Sequence, residues 1–410
     1  MNTREELKAH VAACMLEGKL TIKEGAERLR LSERQVKRLK RRVKENGVTS
    51  VMHRNCGRQP KHTTKPEIKQ RILEIKAKPE YSAVNILHFQ ELLEREHKIS
   101  ISYTALRKQL IDKGYPSPRK RRKSKTKHPR RPRKEYFGEM LQIDASLHQW
   151  FKNDNRYYTI HGFKDDATGI VTGLYMCENE CMEGYMQVMR QTIKQYGVPK
   201  SLYADGLSTF FSPKQPTIEE QLAGKSANKT QFGTMMETLG VQMIHARSSQ
   251  AKGRIEREWG TEQGRLETEF AIRGITTPEQ ANAFFPEFLK NLNARFGIKP
   301  AKTESCFMPK PKSVNLDRLF TFKETRVVDN SGCFSLDGVL FQCGIKDIRP
   351  KTSVVVLISK KLGVKVLFDD SLYTPVPILT KNRTDIRNSS VKAVIDEFVF
   401  RHCLKNERAS

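Results

Sequence analysis

The amino-acid sequence predicts a multidomain α+β protein with basic helical units first, an α/β core with a mixed sheet next, and short C-terminal strands last. Three observations support this prediction. Positive charge is concentrated in the first third of the chain, helix and strand patterns alternate after residue 136, and short β-like runs between turn residues follow residue 310. The 410 residues suffice for several domains, each with its own core.

Composition excludes two broad classes of protein. The chain is 37% hydrophobic, contains no long apolar run and begins with the charged segment "MNTREELKAH", so we expect neither a membrane span nor a secretory signal. Its eight cysteines are scattered without the spacing of a zinc site, which favours free thiols in a reducing compartment. These features predict a cytoplasmic protein.

The formal net charge of +28 is distributed unevenly. Residues 1–135 carry 37 Lys and Arg against 15 Asp and Glu, a net of +22, whereas the remaining residues carry 37 against 31, a net of +6. Charge that only keeps a protein soluble would mix both signs more evenly. The asymmetry therefore predicts a nucleic-acid-binding N-terminal region joined to a nearly neutral body.

Residues 1–50 are predicted to form a helix-turn-helix domain. Apolar periodicity indicates helices over Glu5–Leu16 and Ile22–Leu29, and Ser32 with Gln35 forms a capping box that opens a third helix. The third helix is strongly basic and would enter the major groove, although a solvated basic helix on a bundle has the same pattern. Its candidate DNA-binding residues are Arg34, Lys37, Arg38, Arg41 and Arg42.

Residues 62–116 are predicted to form a second, winged helix-turn-helix domain. Helical patterns cover Pro66–Ala77 and Ile86–His97, "ISIS" is β-like, and Ser102 can cap a last helix that ends at Gly114. A small helical connector domain would fit the same pattern. If the domain binds DNA, Arg107 and Lys108 of its last helix are candidate contacts.

Residues 117–136 are predicted to be a basic linker. The segment "SPRKRRKSKTKHPRRPRKE" has eleven Lys or Arg and three prolines, so it cannot form a core of its own. Arg119, Arg121 and Arg122 are its candidate DNA contacts.

Residues 137–310 are predicted to form the α/β core. The element order is β-β-β-α-β-α-β-α, which is typical of an α/β domain with a mixed sheet. Its members are strand Met140–Asp144, hairpin strands Tyr157–Phe163 and Ile170–Met176, helix Met182–Tyr196, a strand ending at Asp205, a helix in "TQFGTMMETLG", strand "VQMIHA", and a polar helix over 253–270.

Three carboxylates in this core are candidates for two-metal phosphoryl chemistry. Asp144 and Asp205 end separate strands, and Glu256 lies on the later helix in "SQAKGRIEREW". Mg²⁺ prefers oxygen ligands, and a pair of such ions can serve an in-line displacement at phosphorus. Each residue also has a structural explanation, since Asp144 could cap a turn, Asp205 precedes a glycine, and Glu256 could pair with a basic neighbour. Those neighbours, Lys252, Arg254 and Arg257, are candidate phosphate contacts.

The core resembles the RNase H-like catalytic core of DDE transposases and retroviral-type integrases. The residues that carry the resemblance are "FGEMLQIDASLHQWF", "HGFKDDATGIVTGLYM", "YGVPKSLYADG" and "SSQAKGRIERE". The whole chain is more similar still to the ISNCY-type transposases of bacterial insertion sequences. Two departures from the integrase pattern are a longer segment between Asp205 and Glu256, where "SPKQPTIEEQLAGKSANK" is inserted, and the absence of a preceding His/Cys zinc domain.

This resemblance implies a transposase whose catalytic and metal-binding residues are Asp144, Asp205 and Glu256. It implies two Mg²⁺ ions per site, with Mn²⁺ as a substitute. The implied partners are double-stranded DNA, as element ends and as target, and further copies of the chain assembled on that DNA. Two alternatives remain open: a non-catalytic DNA-binding regulator derived from a transposase, and a ribonuclease H-like nuclease, which leaves the basic N-terminal region unexplained.

Other residues of the core favour structural roles. Asp165 and Asp166 belong to the turn "DDATG", and we expect His148 and Trp150 to pack rather than to contact DNA. His245 ends a strand and is not expected to be catalytic.

The C-terminal part is predicted to be β-rich. Residues 311–380 contain several short β runs, which indicate a small SH3-like β-barrel. The resemblance implies that this barrel supports DNA and protein contacts, whereas the sequence alone would equally fit a dimerisation module. Residues 381–410 form a polar tail in which "VKAVIDEFVFRH" could be one amphipathic helix.

Overall fold

The computed structural model of the chain describes residues 3–52, 63–116, 132–152, 154–212, 229–246, 253–378 and 393–397. The chain divides into two compact units, Met1–Leu73 and Glu74–Ser410. Each unit has its own fold and is described by itself.

The first unit contains the three predicted helices, α1 (Thr3–Leu16), α2 (Ile22–Leu29) and α3 (Glu33–Asn46). Thr21 and Ser32 each close a capping box at the start of α2 and α3, which confirms the cap predicted at Ser32. The apolar side chains of the three helices form one core, whose buried members include Val11, Met15, Val36, Leu39 and Val43. The basic side chains of α3 are therefore left on the outside of the unit.

Three further helices follow, α4 (Pro66–Ala77), α5 (Ile86–His97) and α6 (Tyr103–Asp112). The boundary between the two compact units falls within α4. Asn85 and Ser102 cap the starts of α5 and α6. Residues 98–102 form no strand, so the predicted wing is not formed there; Ile99 and Ile101 are largely buried instead.

The core is built on a five-stranded mixed sheet of order β3-β2-β1-β4-β5. The first three strands pair antiparallel, whereas β4 is parallel to β1 and β5 is parallel to β4. This arrangement confirms the predicted mixed sheet and the element order. The strands and helices are β1 (Leu141–His148), β2 (Tyr158–Asp165), β3 (Val171–Cys177), α7 (Met182–Gln195), β4 (Ser201–Ala204), α8 (Gln231–Thr238), β5 (Gln242–His245), α9 (Gly253–Arg273) and α10 (Pro278–Phe296).

Helices cover both faces of this sheet. On one face, Tyr185 and Met189 of α7 and Phe232 of α8 pack against the apolar residues of β1 and β4. On the other face, Trp259 of α9 and Phe285 of α10 pack against β2 and β3. Helix α9 therefore lies on the sheet along its length rather than as a solvated polar helix.

Helix α9 is also joined to α5 by buried ionic contacts. Glu269 of α9, which is only 3% exposed, accepts hydrogen bonds from Arg95 Nη2 at 2.7 Å and from Arg273 Nη1 at 2.5 Å. His88 Nε2 lies 3.0 Å from Glu269 Oε1. Burial alone would raise the pKa of Glu269, but the hydrogen bonds and charges of His88 and Arg95 outweigh it and hold that pKa at about 2. Glu91 of α5 forms two further ion pairs, one with Arg265 of α9 and one with Arg295 of α10.

The C-terminal strands form two small sheets rather than a closed barrel. One sheet has the order β11-β10-β9-β6 and the other β12-β8-β7, and within the described ranges no hydrogen-bonded ring joins them. Their shared core also receives Val394 and Ile395 from the short helical segment near the end of the chain. The elements are α11 (Leu316–Leu319), β6 (Phe322–Val327), β7 (Cys333–Leu336), β8 (Val339–Gln342), β9 (Ser353–Ser359), β10 (Gly363–Phe368), β11 (Ser371–Tyr373) and β12 (Val376–Ile378).

The six cysteines that lie in the described residues are all free thiols. Of the helices in that part of the chain, none combines the length and the apolar character that a bilayer crossing requires.

Substitution of Gly260 by alanine is expected to stabilise the protein. Gly260 lies inside α9, and a Cβ atom built on it meets nothing within 4 Å among the described residues. Glycine costs a helix interior about 0.5–1 kcal/mol relative to alanine, so Gly260→Ala should raise the free energy of unfolding by about that amount. Urea unfolding of the two proteins measures it, and a loss of stability would show that this position contacts something else in solution.

Candidate active site

Asp144 lies inside the central strand β1, rather than at its predicted end, and Asp205 comes directly after the neighbouring strand β4. Strands β1 and β4 are parallel neighbours with Leu141 opposite Leu202 and Gln142 opposite Tyr203. Two residues further on, this register places Asp205 opposite Asp144. Because side chains alternate along a strand, both aspartates lie on the face opposite the apolar core that holds α7 and α8.

Tyr185 of α7 lies in the apolar core beneath this part of the sheet, where the charges of both aspartates affect its pKa. Tyr185 is almost fully buried, and its hydroxyl donates a hydrogen bond to Glu180 Oε1 at 2.5 Å. Burial and then the negative charges of Glu180, Asp144 and Asp205 hold the pKa of Tyr185 well above its usual value.

Helix α9 is attached to β1 by a ladder of four hydrogen bonds, which we call the β1–α9 ladder. Its rungs recur every second residue of the strand and every fourth residue of the helix. The two spacings match, since four helical residues rise about 6.0 Å and two strand residues about 6.6 Å. The rungs are Ile255 N to Gln142 Oε1 (3.2 Å), Trp259 Nε1 to Asp144 Oδ2 (3.0 Å), Gln263 Nε2 to Ser146 Oγ (3.1 Å), and His148 Nε2 with Glu267 Oε1 (2.6 Å).

The second rung needs a glycine on the neighbouring strand. Gly162 of β2 pairs directly with Asp144 across the sheet. A Cβ atom at Gly162 would lie 2.7 Å from Cη2 of Trp259 and 2.9 Å from Leu174. The indole ring therefore covers Gly162 while its N–H donates to Asp144. Trp259 is only 6% exposed.

Glu256 lies on the same helix, one turn before Trp259. It belongs to the first turn of α9, and its side chain is exposed. Across the described ranges, no three or more His, Cys, Asp or Glu side chains are grouped closely enough to hold a metal ion. The site thus consists of two adjacent aspartates, with the glutamate nearby on a helix that is fixed to the strand of the first.

The carboxylates at this site are suitable ligands for a hard divalent cation. Asp144, Asp205 and Glu256 offer only carboxylate oxygens, which Mg²⁺ prefers. Mg²⁺ is commonly held by one or two protein carboxylates together with water and substrate phosphates, so a ready cage of three side chains is not required. Asp144 and Asp205 fit such a partial set.

The neighbouring aspartates have structural partners. Asp165 accepts from the backbone N–H groups of Gly138 and Thr168, and Asp166 accepts from Lys134 N and Gln142 Nε2. Both carboxylates are buried, and burial raises the pKa of Asp165. These contacts hold the "DDATG" turn against the start of the core, as expected for structural residues.

The aromatic residues that follow Asp144 are packed. Trp150 is fully buried, and its indole N–H donates to the carbonyl of Tyr158 at 2.9 Å. His148 forms the last rung of the ladder and meets Trp150 edge to face. Trp150 therefore offers no ring face to a nucleic-acid base. His245 packs edge to face on Phe211, next to Gly206.

The candidate DNA-binding residues are distributed over both units. On α3, Arg34, Lys37, Arg38, Arg41 and Arg42 are all exposed. Arg107 and Lys108 are exposed on α6, and Arg257 is exposed on α9, whose first turn includes Arg254. Four predicted contacts lie outside the described residues: Arg119, Arg121, Arg122 and Lys252.

Comparison with curated proteins places the chain among DNA transposases. It is 31% identical over 400 residues to the transposase for insertion sequence IS1202 of Streptococcus pneumoniae, covering 90% of this chain and 83% of that protein. It is also 31% identical over 309 residues to the putative transposase y4bF of Sinorhizobium fredii (strain NBRC 101917 / NGR234), covering 75% and 66%. The chain belongs to the transposases of bacterial insertion sequences. No family model matches it.

Solved structures show only weak overall similarity. The HTLV-2 integrase catalytic core domain in complex with magnesium matches 38% of this chain and 86% of its own, with 16% identity and a TM-score of 0.29. A chain of the simian T-cell lymphotropic virus intasome in complex with PP2A regulatory subunit B56 gamma matches 73% and 96%, with 15% identity and a TM-score of 0.31.

Proposed function

We propose that this transposase binds the terminal inverted repeats of its insertion sequence and catalyses metal-dependent cleavage and strand transfer. Both steps are in-line displacements at phosphorus, so one site can serve them in turn. The observation that carries the proposal is the placement of Asp144 on β1 and of Asp205 directly after the adjacent parallel strand β4, with the helix of Glu256 hydrogen-bonded to β1.

In this proposal the three carboxylates hold the divalent cations, with Asp144 and Asp205 as the fixed pair and Glu256 completing the set beside the DNA phosphates. Bound Mg²⁺ or Mn²⁺, two ions in the full site, would supply Lewis acidity at the scissile phosphate and a deprotonated water or 3′-hydroxyl. Arg257, exposed one residue after Glu256, would contact the DNA backbone.

Helix α3 is the main DNA-recognition element in this proposal, and α6 and the basic segment 117–136 make further DNA contacts. Helix α3 buries Val36, Leu39 and Val43 and exposes its basic side chains, as a recognition helix does. Two element ends must meet for strand transfer, so we propose that two or more copies of the chain assemble on DNA.

The test is a cleavage and strand-transfer assay on labelled DNA that carries the ends of the insertion sequence. We expect 3′-hydroxyl ends and joined products with Mg²⁺ or Mn²⁺, and none with EDTA. Sequence-specific binding without cleavage under every divalent cation would instead support the non-catalytic regulator. Cleavage of RNA–DNA hybrids without preference for the element ends would support the nuclease.

Removal of three positive charges from α3 is expected to weaken DNA binding and its salt dependence. Each protein–phosphate contact adds about 0.9 to the slope of log K against log salt, so Arg34→Gln, Arg38→Gln and Arg42→Gln together should make the slope shallower by about two to three. Fluorescence anisotropy over a salt series measures it.

The matched control removes the same charge from α1 and the turn after it. Arg4, Lys8 and Lys19, each changed to glutamine, lie away from α3 in sequence, and Lys19 already pairs with Glu17. We expect this triple variant to keep a slope close to that of the unaltered protein. Equal effects of the two triple variants would mean that net charge, rather than α3, governs binding.

A further inference from the structure

Trp259 occupies a position that its apolar packing alone does not explain. Its ring belongs to the core between the sheet and helices α9 and α10, as does Trp150. The two indole groups differ in their acceptors. Trp150 donates to a backbone carbonyl, whereas Trp259 donates to the side chain of Asp144.

The same hydrogen bond fixes α9 relative to β1. Trp259 is the second rung of the β1–α9 ladder, and Glu256 precedes it by three residues, which places both near one face of the helix. The position of Trp259 therefore sets where the helix carrying Glu256 stands along the strand that carries Asp144. Gly162 supplies the space that this placement requires.

We propose that Trp259 is a positioning residue of the transposition reaction. Its indole N–H orients the carboxylate of Asp144 and fixes the helix that carries Glu256 relative to it, before a cation binds. This inference rests on the proposed function of Asp144 and Glu256 as metal ligands. Groups that orient a ligating carboxylate in this way typically change metal affinity or activity about 10- to 100-fold when they are removed.

The first test is the Mg²⁺ requirement of cleavage in Trp259→Phe. Phenylalanine keeps an aromatic ring in the core but removes the N–H donor. We expect the half-saturating Mg²⁺ concentration to rise about tenfold or more, with much of the rate recovered at saturating Mg²⁺.

Trp150→Phe is the matched control, because it removes a buried indole N–H from the same core without touching Asp144. It should lower thermal stability yet leave the Mg²⁺ requirement unchanged. An unchanged Mg²⁺ requirement in Trp259→Phe, with a similar loss of stability, would reduce Trp259 to a packing residue and overturn the proposal.

A second variant acts on Trp259 from the strand side. In Gly162→Ala the new methyl group would push against the indole ring, so the Mg²⁺ requirement should rise as in Trp259→Phe. Gly173→Ala is its control, because a Cβ there also meets close neighbours, Gln191 and Val188, but not Trp259. If the two glycine variants had the same Mg²⁺ requirement, the contact with Trp259 would not matter to the site.

A spectroscopic test does not depend on activity. The chain has two tryptophans, so in Trp150→Phe all indole emission comes from Trp259. Titration with Mg²⁺ alone should change this emission saturably, and Asp144→Asn, which keeps a hydrogen-bond acceptor, should abolish the change. Indole emission that does not change on addition of Mg²⁺ would overturn the proposal.

The proposed roles of Asp144 and of Trp259 can be tested separately. If Asp144→Asn retained Mg²⁺-dependent cleavage, the proposed function of Asp144 would be wrong, whatever the indole emission showed. If Asp144→Asn abolished cleavage but the indole emission of Trp150→Phe did not change with Mg²⁺, only the role proposed for Trp259 would be wrong.

Discussion

Each of Asp144→Asn, Asp205→Asn and Glu256→Gln is expected to abolish cleavage and strand transfer while leaving binding to the element ends intact. A metal ion at a scissile phosphate contributes several kcal/mol of transition-state stabilisation, which corresponds to a loss of about a hundred- to ten-thousand-fold in rate. The substitutions are close in shape to the native residues, and in Asp144→Asn the amide oxygen could still accept from Trp259. Single-turnover assays with Mg²⁺ measure the loss, and electrophoretic shifts measure binding.

The three substitutions should not be additive, because residues that hold one set of ions act as a unit. A double variant of Asp144 and Asp205 would then be about as slow as either single variant. Glu267→Gln serves as the control, since Glu267 is a partly exposed carboxylate on the same helix that contacts His148 at the far end of the ladder. A loss in Glu267→Gln as large as in Glu256→Gln would remove the case for Glu256.

Glu269→Gln is expected to cause the largest loss of stability among the substitutions considered. Removing one partner of a buried ion pair costs about 3–5 kcal/mol. Because Arg95 and Arg273 remain 33% and 22% exposed, we expect about 3 kcal/mol, at the lower end of that range. Urea unfolding at neutral pH measures the difference.

Glu287→Gln is the matched control for Glu269→Gln. Glu287 approaches the same Arg273 at 3.5 Å but is 61% exposed, so its ion pair should contribute less than about 1 kcal/mol. Similar losses in the two variants would contradict the importance of burial at Glu269.

The contribution of Glu269 to the free energy of unfolding should also depend on pH. Its pKa of about 2 in the folded protein lies below its usual 4.5, so the folded state favours the ionised carboxylate. The stabilisation is therefore fully present above about pH 4.5 and is lost as the pH falls toward 2. The difference in stability between the unaltered protein and Glu269→Gln should shrink across this window.

Much of the fold is predictable from local patterns in the sequence. The capping residue Ser32 and the apolar periodicity of α3 define that helix, and the order of strands and helices after residue 136 predicts the mixed sheet. The two aspartates are found by the same reasoning, although the expectation that both end strands is right only for Asp205, because β1 continues past Asp144 to His148. The predicted barrel was wrong, since short strands and turns specify hairpins but not the pairing that would close a ring.

The contacts of α9 were harder to predict. The sequence presents 253–270 as a polar helix, yet Glu262, Arg265 and Glu269 are buried. The partners of Arg265 and Glu269 lie about 175 residues away in α5, and no local pattern indicates them. The ladder did leave a signal, because Gln142, Asp144, Ser146 and His148 alternate with apolar residues and mark a polar strand face. Trp259 could not be matched to Asp144 without the packing.

The β1–α9 ladder has a consequence for how such a site can change in evolution. Fifty residues separate Asp205 from Glu256 in this chain. The place of Glu256 is determined by the strand beneath its helix, through four hydrogen bonds that are independent of the connecting segment's length. Insertions between the second and third carboxylates can therefore accumulate without moving the third, whereas a single residue inserted between Gln142 and His148 would turn the later rungs to the opposite face of the sheet.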